Sequence, residues 1–227
     1  MLGLKKTDGN LMFLYAAYLA ALSIGNVLDN SFVFLFGCVL PASVLAYPLT
    51  LLTLCVICEL WGRGDAARLV LLGLGMKFVG VVLLGLAQAV KIFPDYGARR
   101  ELWSILGTSF WEVSGHMILG KDVRFWTASI ISFPIAQLTG LWVFDRMLRR
   151  RVERTGAAWG GRWARYLCGC MAGEAAEITL FLLMILAPDW RLFKIDMARQ
   201  IYVRGIFTLM WLPTYYALTW RRRRKNA

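Results

Sequence analysis

Apolar runs of the length a helix needs to cross a bilayer, roughly 20 residues, constrain this chain more than any other feature. Six of them recur, at 11–27, 42–61, 69–90, 125–144, 166–188 and 201–220, and several carry isolated charges. In lipid the backbone must satisfy its own N–H and C=O groups, so such runs fold as helices. The sequence predicts an all-α membrane protein of six transmembrane helices, with room for an extra short inserted or interfacial segment. At 59% apolar and 18% charged residues, against about 45–50% and 25% in soluble domains, little chain remains for a second domain. One polytopic membrane domain over 1–227 is expected.

Two stretches depart from the simple pattern. An uncharged run from Asn30 to Cys58 is too long for one helix and contains Pro41 and Pro48. Residues 31–40 read as a partly inserted or extended piece, and Pro48 as a kink inside the second span. The connection at 91–124 places Leu102, Leu106, Phe110, Val113 and Met117 at helical spacing, with Glu101, Glu112 and His116 off that stripe. An interfacial amphipathic helix and a plain surface connector both fit it.

The net charge of +12 does not point to nucleic acid, because the basic residues sit in short loops beside apolar spans. Sixteen of the 26 Lys and Arg fall on the side of the termini and eight on the other, while Lys77 and Arg204 lie within spans. By the positive-inside rule both termini are cytoplasmic, and the expected location is a bacterial inner membrane. Cys38, Cys55, Cys58, Cys168 and Cys170 lie in apolar surroundings, and the lone His116 is distant in sequence. They read as buried free thiols rather than metal ligands, so no metal or cofactor is expected. Lys5 and Lys6 precede an apolar run that lacks the cleavage site of a signal peptide.

Charges in mid-span are costly, by roughly 2.5–3.5 kcal/mol or more, and face the bundle interior. Glu174 and Glu177 share a helical face with Cys170, Gly173 and Phe181. Arg204 faces the same way as Thr208, Trp211 and Tyr215, and Gln137 continues a stripe with Trp126, Ser129, Phe133 and Gly140. Asn26 ends the first span and Glu59 the second. Glu59 reads equally as a headgroup-level charge or a binding group, and Lys77 as a snorkelling or a buried, partnered lysine. Two acids against Arg204 leave one carboxylate for a ligand or a proton.

Several segments resemble the queuosine precursor transporter family, also called the vitamin uptake transporter family. They are AYPLTLLTLCVICELWGRGDAARLV at 46–70, RFWTASIISFPIAQLTGLWVFDRM at 124–147, and the pair GEAAEITLF at 173–181 and YVRGIFTLMWLPTYY at 202–216. With Asn26 they span nearly the whole chain in order. The resemblance implies a transporter importing a 7-deazaguanine such as preQ0, preQ1 or queuine, with a lipid bilayer and a purine-like small molecule as partners. A homodimer is compatible with it. Glu177 stands where the family has an acid, and its carboxylate would accept the paired N–H donors of a guanine-like edge. Arg204 would donate to the ring carbonyl or hold Glu174, Gln137 would meet another edge, and Trp126 or Phe133 would stack on the ring.

The chain departs from the family pattern at Leu54-Cys55, Gly140 and Glu174, which predicts a rearranged pocket. The candidate substrate-binding residues are Asn26, Glu59, Trp126, Ser129, Phe133, Gln137, Glu174, Glu177, Arg204 and Trp211. The alternative is a substrate-binding membrane subunit that works with a separate energising complex. No nucleophile–base pair, metal cluster or phosphate loop supports an enzyme.

Overall fold

A computed structural model describes residues 9–28, 32–89, 123–155, 161–186 and 190–220. The described helices are α1 (Gly9–Leu28), α2 (Tyr47–Leu60), α3 (Arg63–Ala89), α4 (Val123–Thr155), α5 (Arg162–Leu186), α6 (Trp190–Met210) and α7 (Leu212–Trp220). Five segments are long and apolar enough to cross a membrane: Gly9–Leu28, Ala42–Leu60, Arg63–Leu83, Thr127–Arg154 and Arg162–Ile185. The all-α membrane fold is therefore present. The sixth expected span is built from the second half of α6 together with α7. Neither helix is long and apolar enough alone, because α6 begins at Trp190 and takes in Arg191, Lys194, Asp196 and Arg199, and α7 has nine residues.

The stretch expected to be extended is a two-stranded antiparallel hairpin, β1 (Phe32–Leu35) and β2 (Cys38–Pro41). Phe36 (φ 48°) and Gly37 (φ 78°) make its two-residue turn, the left-handed geometry that matches the twist of paired strands. Leu40 and the following 3-10 turn (Ala42–Leu45) pack on Val203 and Phe207 of α6.

Pro48 does not kink the second span. It lies in the first turn of α2, where its missing N–H would have no intrahelical acceptor in any case. The irregularity falls upstream, at Ala46, where the 3-10 turn hands over to the helix. At the other end of α2, Gly62 (φ 102°) donates to the carbonyls of Ile57 and Cys58. This cap lets α3 begin at once.

The most extensive helix pair is α4 with α5, and glycines make it close. A Cβ on Gly140 would stand 2.8 Å from the carbonyl oxygen of Gly169, and one on Gly169 would stand 2.9 Å from Cβ of Phe144. Small residues let membrane helices approach without an aqueous hydrophobic drive. Gly140, where the resemblance leads one to expect an acid, thus has no room for any side chain.

A break also divides the last span. Trp211 separates α6 from α7 and Pro213 sits in the first turn of α7, yet Trp211 N–H still bonds Phe207 O and Tyr215 N–H bonds Trp211 O. The expected interfacial helix around Leu102–Met117 lies outside the described residues.

Candidate functional site

Polar side chains from α2, α3, α4, α5 and α6 meet in one buried layer. Tyr47, at the start of α2, is its hub: the Arg204 guanidinium lies 4.9 Å from its ring centroid and the Lys77 ammonium 5.7 Å. Each cation is attracted by the ring's negative face. Arg204 donates to Glu177 Oε2 at 3.1 Å and to Gln200 Oε1 at 3.4 Å. Lys77 donates to Ser129 Oγ at 2.9 Å and lies 4.6 Å over the Phe133 ring. Lys77 is thus the buried, partnered lysine of the two readings, with 4% exposure.

The stripe read along the fourth span faces inward as a unit. Ser129 and Phe133 hold Lys77, Gln137 Nε2 donates to Thr50 Oγ1 at 3.2 Å, and Gly140 abuts α5. Thr50 in turn donates to Tyr47 O at 2.7 Å, tying Gln137 to the hub. The stripe along the last span behaves likewise, with Arg204 on Glu177, Thr208 on Glu174 and Tyr215 on Glu59.

Not every polar atom in this layer is satisfied. Glu174 is fully buried; its Oε1 accepts from Thr208 Oγ1 at 3.3 Å, whereas its Oε2 has no partner among the described residues. The same holds for Gln137 Oε1 and for the hydroxyl of Tyr18, which reaches from α1 to Gly73 of α3. Buried polar atoms are nearly always paired, and here two acceptors and a hydroxyl are bare in one layer. Gly173 backs onto Ala136 where α5 meets α4, and Glu174 and Gln137 are the next residues along the two helices.

Glu59 is not part of this layer. It lies twelve positions along α2 from Tyr47, about 18 Å at 1.5 Å per residue. Its Oε1 accepts from Arg162 Nε at 2.9 Å and Arg165 Nη2 at 3.4 Å, and its Oε2 from the Tyr215 hydroxyl. All three charged side chains are 2–6% exposed, so Glu59 is a charge paired inside the protein. Tyr215 stacks on Tyr166 with centroids 4.7 Å apart. Arg162 and Arg165, counted from sequence as loop charges, occupy the first turn of α5 and are buried.

Three other candidates stand apart from the polar layer as described. Asn26 is half-buried near the end of α1, one residue from Gly25, which packs near Ala46. Trp211 packs against the apolar core at the α6–α7 break. Trp126 falls in the first turn of α4, and its side chain lies outside what is described. Sequence reasoning passed over Tyr18, Tyr47 and Thr50 as site residues. Their one signal was a polar group within an apolar run, which interfacial anchoring explains equally well.

Comparison with curated proteins and with solved structures returns no match. A family profile described as "Putative vitamin uptake transporter" matches residues 41–218, more than three quarters of the chain, from the end of the hairpin through α7. The match takes in every residue of the polar layer except Tyr18, and it supports a transport role for a multi-pass membrane protein. With most of its length covered in one continuous match, this chain belongs to the vitamin uptake transporter family.

Proposed function

We propose that the protein is an inner-membrane importer of a queuosine precursor or related 7-deazaguanine, and that the cargo sits between α4, α5 and α6. The observation that carries this reading is the pair of bare, buried acceptors, Glu174 Oε2 and Gln137 Oε1, beside the Glu177–Arg204 pair. A guanine-like edge presents adjacent N–H donors, and carboxylates accept such donors in paired fashion. On this reading the cargo's N–H edge replaces Arg204 on Glu177, and Arg204 turns to the ring carbonyl. Gln137 meets a second edge. Phe133, which already carries Lys77 over its ring, offers an aromatic wall. One domain acts over the whole chain, and the 16-to-8 distribution of basic residues supports termini on the cytoplasmic side.

The test is uptake of labelled preQ0, preQ1 and queuine by cells unable to make queuosine, with wild type, Glu177→Gln and Arg204→Ala. Wild type accumulates one of the three, and both variants reach the membrane yet lose at least tenfold in uptake, about 1.4 kcal/mol of recognition. Normal uptake by both variants overturns the site. Accumulation of none of the three overturns the cargo.

A further inference from the structure

The acids of the polar layer are held in different ways. Glu177 has a guanidinium at 3.1 Å. Glu174, one helical turn away and fully buried, accepts from a neutral hydroxyl at 3.3 Å on one oxygen and has no hydrogen-bond partner on the other among the described residues. The groups facing it can be named element by element. On α6, Thr208 bonds it, and Arg204, whose charge attracts that of Glu174, is hydrogen-bonded to Glu177 and Gln200. Along α5 itself lie Glu177, whose charge repels its own, and the thiol of Cys170 and phenol of Tyr166. From α2, Cys55 meets Cys170 with sulfurs 3.9 Å apart. The neighbouring α4 brings the neutral Gln137, and Lys77 of α3 is turned to Ser129, Phe133 and Tyr47.

A carboxylate charge buried with one weak neutral hydrogen bond is strongly disfavoured, and such a group neutralises instead. A ligand that brings an N–H donor to Oε2 reverses this, since hydrogen bonds to the charged form favour it. We propose that Glu174 is a proton-binding site linked to cargo, holding a proton while the site is closed and empty and releasing it when a cargo N–H reaches Oε2. The exchange balances: the carboxylic acid and the cargo become a carboxylate accepting the cargo's N–H, and one proton leaves to water. Linkage then requires cargo affinity to fall about tenfold per pH unit on the acid side. The inference rests on the cargo reading above for its second half only.

Two measurements on the full-length protein in lipid separate the halves. Calorimetric titration with preQ0 in two buffers of different ionisation enthalpy counts protons released on binding. Wild type releases about one per molecule bound and Glu174→Gln none; equal release from both overturns the linkage. Infrared spectroscopy at neutral pH needs no cargo. The carbonyl band of a protonated buried acid is present in wild type and missing from Glu174→Gln, and wild type without that band overturns the proposal. Thr208→Val, which removes the hydrogen bond on Oε1, shifts the band and keeps it if Glu174 is its source; an unmoved band overturns the assignment. Should neither protein bind preQ0, preQ1 or queuine, the cargo reading fails and the linkage with it. The infrared result still decides whether Glu174 holds a proton.

Discussion

Two buried ionic clusters flank α2, one at Glu59 near its end and one reaching it through Gln137 and Thr50, and their carboxylates are held on opposite terms. Around Glu59 every carboxylate oxygen is taken, by Arg162, Arg165 and Tyr215, which come from α5 and α7. Around Glu174 and Gln137 an oxygen of each is left bare. A buried carboxylate saturated on both oxygens can serve as a clamp between helices, because breaking it strands charges in a low-dielectric interior. An unsaturated one carries an unmet demand that a ligand or a proton can fill. The contrast separates a joint from a site more sharply than burial does, since both clusters are closed to solvent.

The strongest way to break this comparison is to cut the saturated cluster. Glu59→Ala leaves two guanidiniums buried around an absent partner, which costs about 3–5 kcal/mol. We expect a steep loss of folded protein in detergent, read by thermal unfolding, and a wild-type midpoint would remove the clamp from the argument. Next in size is Gly140→Asp, which installs the acid the family resemblance leads one to expect. Its Cβ would meet Gly169 O at 2.8 Å, and overpacking of this kind costs about 1–3 kcal/mol. A variant as stable as wild type would show that α4 and α5 can separate.

The unsaturated cluster should give the reverse pattern. Gln137→Leu removes one hydrogen bond, to Thr50, and also removes a bare acceptor. The stability change should stay near 1 kcal/mol, while cargo uptake drops several-fold. A large stability loss with intact uptake would make Gln137 a structural residue. The smallest effect serves as the reference: Arg68→Ala breaks an exposed pair with Asp65 on α3. It should change stability by less than about 0.5 kcal/mol and leave uptake unaltered.

How far the sequence reached depends on the kind of signal. Helical spacing alone placed Ser129, Phe133 and Gln137 on one inward face, and Arg204 with Thr208 on another, because one amphipathic helix fixes its own stripe. The same local logic failed at Pro48, where the proline was legible but its position relative to the helix start was not. It failed again at Arg162 and Arg165. They follow a basic loop in sequence, yet the early start of α5 turns them into the bundle. Tyr47 had no periodic partner, since its role comes from two cations on two other helices.

By itself, then, the sequence determined the all-α membrane fold, the order of spans and the inward faces, since apolar run length and period 3.6 are properties of single segments. Only the tertiary structure decided which acid is hydrogen-bonded to a cation and which to a neutral hydroxyl. Glu59, Glu174 and Glu177 are alike in sequence as carboxylates within or at the end of apolar spans. Their fates diverge because α5, α6 and α7 bring two arginines and a tyrosine to the first, one threonine to the second and one arginine to the third. Pairing across helices depends on their relative rotation and depth, which no single segment encodes.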